Sequence, residues 1–312
     1  MAGATSCGKA LVLRALEAVR RPVDGLAGRL GDLSRVINFT RGRLEFSIRP
    51  DDVFIVTYPR SGTTLMQLLV HLLVRSGDPA HGHDLDLDLD FDFEHISQVA
   101  PWFERSLAVG SLEVSDLAAL PSPRVFKSHL AQQWVPRGAR TIHVTRDGRD
   151  VAVSYYHFYR SHLRYTGSFD RFFERFLRGD VQYRSWFKHT AGWQARRGDP
   201  ELLFLRFEDL VHALPACVAA VARFLGVAAS FERIAQIAER CSFERMKRHE
   251  QKFDFATELL LERRLRGGDF LRSGRTGAGS ALRPEQERAF ARRAGRRPRL
   301  ARVELDLPAF LH

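Results

Sequence analysis

Hydroxyl and guanidinium side chains are concentrated around one glycine near the start of the chain. The segment reads Tyr58-Pro59-Arg60-Ser61-Gly62-Thr63-Thr64-Leu65. An apolar, β-branched run precedes it and a helical pattern follows it, which places it in a turn between a strand and a helix. Backbone N–H groups at a helix N-terminus and a nearby guanidinium both attract anions. The segment therefore predicts an anion-binding turn.

The phosphate loop of ATP- and GTP-dependent enzymes, G-x-x-x-x-G-K-[ST], occupies a similar place but does not fit this sequence. Thr57 stands five positions before Gly62, where that loop has its first glycine, and Thr63 replaces its lysine. Without that lysine, a kinase or nucleoside triphosphatase would need another way to neutralise a triphosphate. We therefore exclude these enzyme classes.

Lys127-Ser128-His129 follows a second apolar run. In extended backbone, Lys127 and His129 project to the same side and Ser128 to the other. A cation beside an imidazole suits an acid–base step next to an anionic leaving group. The alternative is a surface lysine and a hydrogen-bonded histidine.

Two further segments could bind a second phosphate. Arg146 ends an apolar run and Ser154 lies eight residues later in a predicted helix, although Arg146 or Arg149 could instead form a structural ion pair with Asp150. The basic segment 270–277 contains two glycines, whose backbone can approach a phosphate closely. It could equally be a solvated loop.

The elements that must position these residues alternate along the chain. Short apolar runs predict strands at 53–58, 124–127, 141–145 and 202–207. Leucines at 65, 68, 69, 72 and 73 share one helical face, and helices are also predicted over 150–160 and 214–225. This alternation predicts an α/β fold with a central, mostly parallel sheet flanked by helices.

A single domain is predicted over residues 1–312, because no long linker divides the chain. It comprises a leading helical segment (1–45), a core (46–295) and a tail (296–312). The arginine-rich region 263–302 is expected to cover the ligand side as loops and short helices. The alternating acidic stretch 84–93 fits a half-buried strand and a solvated loop about equally, and we assign it no chemistry.

The charge balance favours an anionic partner. Among 312 residues, 48 Lys and Arg oppose 37 Asp and Glu, giving a net charge of +11. Charge alone does not choose among nucleic acid, acidic lipid and a phosphorylated small molecule. The chain has three cysteines and no apolar run of about 18 residues, so we expect a cytoplasmic protein without a membrane span.

Taken together and in order, these motifs resemble the cytosolic sulfotransferase family, whose members use 3′-phosphoadenosine 5′-phosphosulfate (PAPS). The resemblance extends from about Asp51 to Arg292. Besides the segments above, it includes Phe207-Glu208-Asp209, Ser242-Phe243 with Met246, and Arg272 with Gly274. It implies a single α/β domain with a P-loop-like turn, PAPS as co-substrate, 3′,5′-phosphoadenosine (PAP) as product, and no metal.

The resemblance also implies roles for individual residues. Arg60, Lys127 and His129 would be catalytic, with His129 as the base and the two cations stabilising the leaving phosphate. The donor would be bound by Arg60, Ser61, Gly62, Thr63, Thr64, Leu65, Arg146, Ser154, Phe207, Ser242, Phe243, Met246, Arg272, Ser273 and Gly274. The acceptor would be bound by Pro101, Trp102, Phe103 and Phe158, although core packing also explains each of these residues.

Several positions depart from the family pattern and indicate a divergent member. Arg60 and Ser273 replace lysines, Leu65 replaces a tryptophan that stacks on adenine, and Phe207 replaces a tyrosine. Phe243 is the expected remaining aromatic contact to the base. Gly277-Ala278-Gly279-Ser280 stands where the family has Gly-Asp-Trp-Lys.

The predicted function is sulfuryl transfer from PAPS to a hydroxyl of a small, apolar acceptor such as a phenol or alcohol. A carbohydrate-hydroxyl sulfotransferase and a catalytically silent polyanion-binding protein are the alternatives. We expect a small-molecule partner and neither nucleic acid nor membrane, and the choice between monomer and homodimer stays open.

Overall fold

The computed structural model describes residues 31–76, 91–109, 113–254, 270–272 and 274–295. Within these residues, four strands form one sheet: β1 (Val53–Thr57), β2 (Val125–Ser128), β3 (Arg140–Thr145) and β4 (Leu202–Arg206). The order is β2-β1-β3-β4 and every pairing is parallel. The predicted α/β class with a parallel sheet is confirmed.

Twelve helices accompany the sheet in the described residues. They are α1 (31–45), α2 (Thr63–Ser76), α3 (Phe103–Val109), α4 (Val114–Ala119), α5 (Gly148–His162), α6 (Phe169–Arg178), α7 (Trp186–Gln194), α8 (Phe207–His212), α9 (Leu214–Leu225), α10 (Phe231–Arg240), α11 (Phe243–Arg248) and α12 (Pro284–Gly295). Phe207 begins α8 and does not extend β4, so the strand predicted at 202–207 ends one residue early.

Alternating side chains of β1 explain why both faces of the sheet are covered. Val53 and Ile55 belong to one buried cluster, which includes the inner faces of α2, α5 and α9. Phe54 and Val56 belong to a second cluster on the other face. A strand buried on both faces must be apolar throughout, and this is why β1 was recognisable as a continuous apolar run.

The acidic stretch 84–93 lies mostly outside the described residues. Of its members, residues 91–93 are described, and none of them is in a strand. Phe91 and Phe93 are buried, with ring centroids 5.6 Å apart, and Asp92 between them is exposed. No helix in the described part of the chain is long and apolar enough to cross a membrane.

Candidate functional site

The predicted site residues meet at the carboxyl edge of the sheet. Because all four strands are parallel, the segments that follow them emerge at this edge: the 58–62 turn after β1, His129 after β2, Arg146 after β3 and Phe207 after β4. The chain leaves β1 toward β2 on one side and returns to β3 on the other, and ligands of open parallel sheets bind at such a switch point. A cavity of about 870 Å³ lies there.

The 58–62 turn has an unusual backbone and little room. Arg60 and Gly62 both have left-handed φ angles, 69° and 95°. A Cβ on Gly62 would lie 2.7 Å from Cδ2 of Phe207, so no side chain fits at this position. Ser61 Oγ is buried and has no hydrogen-bond partner among the described residues. A buried polar atom without a partner costs free energy that a bound ligand can recover.

The Arg60 side chain reaches helix α5. Its Nε donates to Ser154 Oγ (3.2 Å) and its Nη2 to the Phe270 carbonyl (2.8 Å). The guanidinium lies 5.3 Å from the Phe158 ring centroid and 5.0 Å from that of Phe270. Loss of water contact, reinforced by the nearby Arg146, lowers the pKa of Arg60 to about 10. Arg60 therefore stands beside Ser154, which the family resemblance assigns to the other phosphate.

Arg146 connects the turn to the C-terminal segment. It donates to the carbonyls of Arg60 (2.9 Å) and Arg275 (3.1 Å), and its guanidinium lies 4.2 Å from the Phe207 ring centroid. The alternative ion pair with Asp150 is also present, at 3.8 Å. Burial lowers the pKa of Arg146, and its buried Nε has no partner in the described part of the chain.

Asp150 holds the C-terminal segment over the cavity. Its carboxylate is buried and accepts hydrogen bonds from the backbone N–H groups of Gly277 (2.8 Å) and Gly279 (2.6 Å). Gly274 has a φ of +60°, and a Cβ there would lie 2.3 Å from Cδ2 of Phe243. Gly274 therefore packs closely against Phe243, and both Arg272 and Gly274 line the cavity. Ser273 lies outside the described residues.

His129 is oriented as a neutral base. Its Nδ1 lies 2.9 Å from the Thr57 carbonyl, which can only accept, so Nδ1 carries the proton and Nε2 keeps a free lone pair. Burial, followed by the nearby Lys127 ammonium, holds the pKa of His129 well below its usual value. Both side chains line the cavity, as expected for extended backbone, and Ser128 does not.

The four predicted acceptor residues separate into two pairs. Trp102 and Phe158 line the cavity. Phe103 does not, because it packs in the second core cluster, 5.2 Å from the Phe54 ring centroid. Pro101 also lies outside the lining, where its carbonyl accepts the Lys127 N–H (2.9 Å). The structure therefore leaves Trp102 and Phe158 in a position to contact an acceptor, whereas Pro101 and Phe103 have structural contacts.

Tyr183 is a lining residue that sequence reasoning missed. Its ring centroid lies 5.0 Å from that of His129 and 6.3 Å from that of Trp102, stacked at 22° to the indole. It lies in the connection between α6 and α7, without a motif that singles it out. Arg105 also lines the cavity.

The opposite end of the cavity is apolar. Five of the residues predicted to bind the donor line it: Leu65, Phe207, Ser242, Phe243 and Met246. Ser242 Oγ also accepts the Arg245 N–H (3.4 Å) as the N-cap of α11. Leu210, Ala238 and Cys241 also line the cavity and were not predicted. The described residues contain no group of three or more His, Cys, Asp or Glu side chains that could hold a metal ion.

Comparisons with known proteins agree with this geometry. Residues 50–293 match the family model described as Sulfotransferase domain. Sulfotransferase 4A1 of Mus musculus is 34% identical over 218 residues, covering 66% of this chain and 72% of that protein. Sulfotransferase 2B1 of Mus musculus is 34% identical over 239 residues, covering 74% and 66% respectively.

Solved structures give the same result. Retinol dehydratase in complex with androsterone and the inactive cofactor PAP aligns with a TM-score of 0.67 and 25% identity, covering 86% of this chain and 88% of that one. Its complex with retinol and PAP aligns with a TM-score of 0.64 and 29% identity, covering 83% and 86%.

Proposed function

The chain belongs to the sulfotransferase family, and we propose that it transfers the sulfuryl group of PAPS to a hydroxyl of a small, largely apolar acceptor. One observation carries the proposal: all four cationic side chains that were predicted to bind the donor or to act in catalysis line the same cavity as a neutral imidazole, at the carboxyl edge of the sheet. The cations are Arg60, Lys127, Arg146 and Arg272, and the imidazole is that of His129. The similar solved structures contain PAP, one with androsterone and one with retinol.

The described residues suit a ligand with two separated phosphate groups. The 58–62 turn and the first N–H groups of α2 would bind the 5′-phosphosulfate, while Arg146, Ser154, Arg272 and Gly274 would bind the 3′-phosphate. Each side also has a buried polar atom without a hydrogen-bond partner among the described residues, Ser61 Oγ on the 5′ side and Arg146 Nε on the 3′ side. The Arg60 guanidinium, bonded to Ser154, would lie between the phosphates and neutralise both.

The adenine would occupy the apolar end of the cavity. Leu65, Phe207, Phe243 and Met246 offer it apolar surface. The Phe207 ring also lies against Arg146 and Gly62, so it supports the phosphate side of the site as well.

In the proposed reaction His129 accepts the proton of the acceptor and Lys127 stabilises the leaving phosphate. As the acceptor oxygen bonds to sulfur, its proton passes to Nε2 of His129, and the bond between sulfur and the phosphate oxygen breaks. The Lys127 ammonium and the Arg60 guanidinium stabilise the negative charge left on that phosphate. The anionic donor also offsets the cations that lower the pKa of His129, so donor binding makes the imidazole a stronger base.

The acceptor end combines aromatic walls with basic groups. Trp102, Phe158 and Tyr183 provide the aromatic surface. Arg105 lies on α3, whose C-terminal end also lines the cavity. Arg35 lies on α1, which contacts that end of α3. An acceptor panel should therefore pair each neutral phenol or alcohol with a hydroxylated aryl carboxylate, and should include simple carbohydrates for the runner-up function.

Calorimetric titration with PAP, with ATP as control, tests donor binding, and transfer of labelled sulfate from PAPS tests the reaction. We expect tight PAP binding, weak ATP binding, and turnover with at least one phenol or alcohol. His129→Ala should abolish turnover and leave the PAP affinity nearly unchanged. Turnover equal to wild type in that variant would refute the assignment of the base.

The silent polyanion-binding alternative gives a different result. A folded protein that fails to bind PAP, yet binds polyanions in a salt-dependent manner that PAP does not compete, would support it.

A further inference from the structure

Glu104 is a buried carboxylate that the proposed reaction does not use directly. It lies in the first turn of α3 and is fully buried. Burial raises the pKa of Glu104, and the hydrogen bonds that the carboxylate accepts, first from the Trp102 side chain and the His129 backbone, act in the opposite direction. Burying a carboxyl group is costly unless hydrogen bonds compensate for the lost water, so its partners show what the group is for.

Two of those partners belong to the acceptor side of the site. Glu104 Oε1 accepts the indole N–H of Trp102 (2.7 Å) and the backbone N–H of His129 (2.8 Å). Together with the bond from His129 Nδ1 to the Thr57 carbonyl, this fixes His129 at two points, one on its backbone and one on its ring.

Trp102 is in turn packed against the reacting groups. Its ring centroid lies 5.2 Å from that of His129, nearly perpendicular to it, and 3.9 Å from the Lys127 ammonium. Its other contact is the stacked ring of Tyr183. One carboxylate oxygen thus links the base, the cation and the aromatic wall of the acceptor end.

On the basis of the proposed function, we propose that Glu104 is a positioning residue for sulfuryl transfer: its Oε1 fixes the His129 backbone and the Trp102 indole in the geometry that the acceptor requires. Glu104 does not contact the donor residues in the described structure, so its effect should fall on the catalytic step and the acceptor and not on PAP.

Two substitutions separate the hydrogen bonds from the charge. Glu104→Gln keeps an oxygen that can accept both bonds and should retain kcat within about threefold of wild type. Glu104→Ala removes the acceptor and should lower kcat about 10- to 100-fold, because small misplacements of a base have effects of this size. The KM for the acceptor should rise, and the Kd for PAP should change by less than about twofold. Glu174→Ala, at an exposed position on α6, is the matched control.

A second measurement does not depend on turnover. The amide proton of His129 should exchange slowly and resonate downfield in wild type and Glu104→Gln, and lose both features in Glu104→Ala. Trp102→Phe serves if the alanine variant does not fold: it removes one donor, leaves the other bond in place, and should keep the His129 amide signal while changing the acceptor KM.

The outcomes distinguish the two proposals. If the wild-type protein turns over and Glu104→Ala has the same kcat and the same His129 amide signal, the role of Glu104 is overturned and the proposed function stands. A parallel loss of PAP affinity and kcat would also overturn it, because that pattern indicates a general structural defect. Absence of turnover and PAP binding in wild type would refute the proposed function instead, and the amide signal would still decide whether Glu104 holds His129.

Discussion

Replacing Arg272 by alanine should weaken PAP binding about tenfold and leave the affinity for adenosine 5′-phosphate (AMP) nearly unchanged. Arg272 is an exposed residue on the segment that Asp150 holds over the cavity. Its charge is felt by both buried arginines, because it contributes to the lowered pKa of Arg60 and of Arg146. It is therefore within electrostatic range of the proposed 3′-phosphate position.

The size of the loss follows from this exposure. A hydrogen bond to a charged group contributes about 1.5–3 kcal/mol, and a solvated partner places Arg272 at the lower end. A loss of about 1.4 kcal/mol is a tenfold change in Kd. Arg272 also repels the other two arginines in the free protein. Because its removal relieves this repulsion before PAP binds, the net loss of PAP affinity is smaller.

Calorimetry with the two nucleotides isolates the contact with the 3′-phosphate. AMP lacks that group, so the ratio of the AMP and PAP dissociation constants should fall about tenfold in Arg272→Ala. Arg275→Ala is the matched control: its side chain is also exposed at the cavity, while its carbonyl, which accepts from Arg146, is unaffected by the substitution. We expect a change below about threefold there. Equal losses for PAP and AMP, or a larger loss in Arg275→Ala, would refute the placement of the 3′-phosphate.

Two further predictions concern the backbone and one buried histidine, His189 on α7. Gly274→Ala should weaken PAP binding, because the added Cβ would lie 2.3 Å from a ring carbon of Phe243. Gly277→Ala is the control: this glycine also has a positive φ, but an added Cβ would meet nothing within 4 Å, so PAP binding should not weaken. Equal PAP affinities of the two variants by calorimetry would contradict this prediction. Burial lowers the pKa of His189 to about 4 from 6.5, so its contribution to stability is complete above pH 6.5 and is lost as the pH falls toward 4. Between pH 7 and pH 4.5, the free energy of unfolding measured with urea should fall by about 2–3 kcal/mol less in His189→Gln than in wild type. Identical decreases in the two proteins would contradict the lowered pKa of His189.

The fold and much of the site could be predicted from the sequence because both depend on local patterns. A strand buried on both faces is recognisable as an apolar run, and residues that directly follow parallel strands must meet at one edge. Arg60, His129 and Arg146 follow strands, and Lys127 lies near the carboxyl end of β2; all four line the cavity.

Other features depend on tertiary contacts that no local pattern reveals. Trp102 and Phe103 are adjacent aromatic residues, but Phe103 packs in the core cluster around Phe54, whereas Trp102 lines the cavity. The direction of the Arg60 side chain follows from a φ of 69°, which is rare outside glycine and has no sequence signal here. Tyr183 reaches the site because α6 and α7 place their connection beside His129.

The electrostatics of the free protein bear on the choice between donor binding and simple attraction of polyanions. Besides burial, the nearby charges of Arg146 and Arg272 lower the pKa of Arg60, and Arg272 also lowers that of Arg146, so folding brings these cations together before any ligand is present. An anion that binds among them removes this repulsion, so even a small nucleotide should bind with strong salt dependence. Salt dependence alone therefore cannot separate the two functions. Competition can, because only a ligand with two phosphates at the spacing of PAP would engage both the 58–62 turn and the Arg146–Arg272 side of the cavity and displace a polyanion from them.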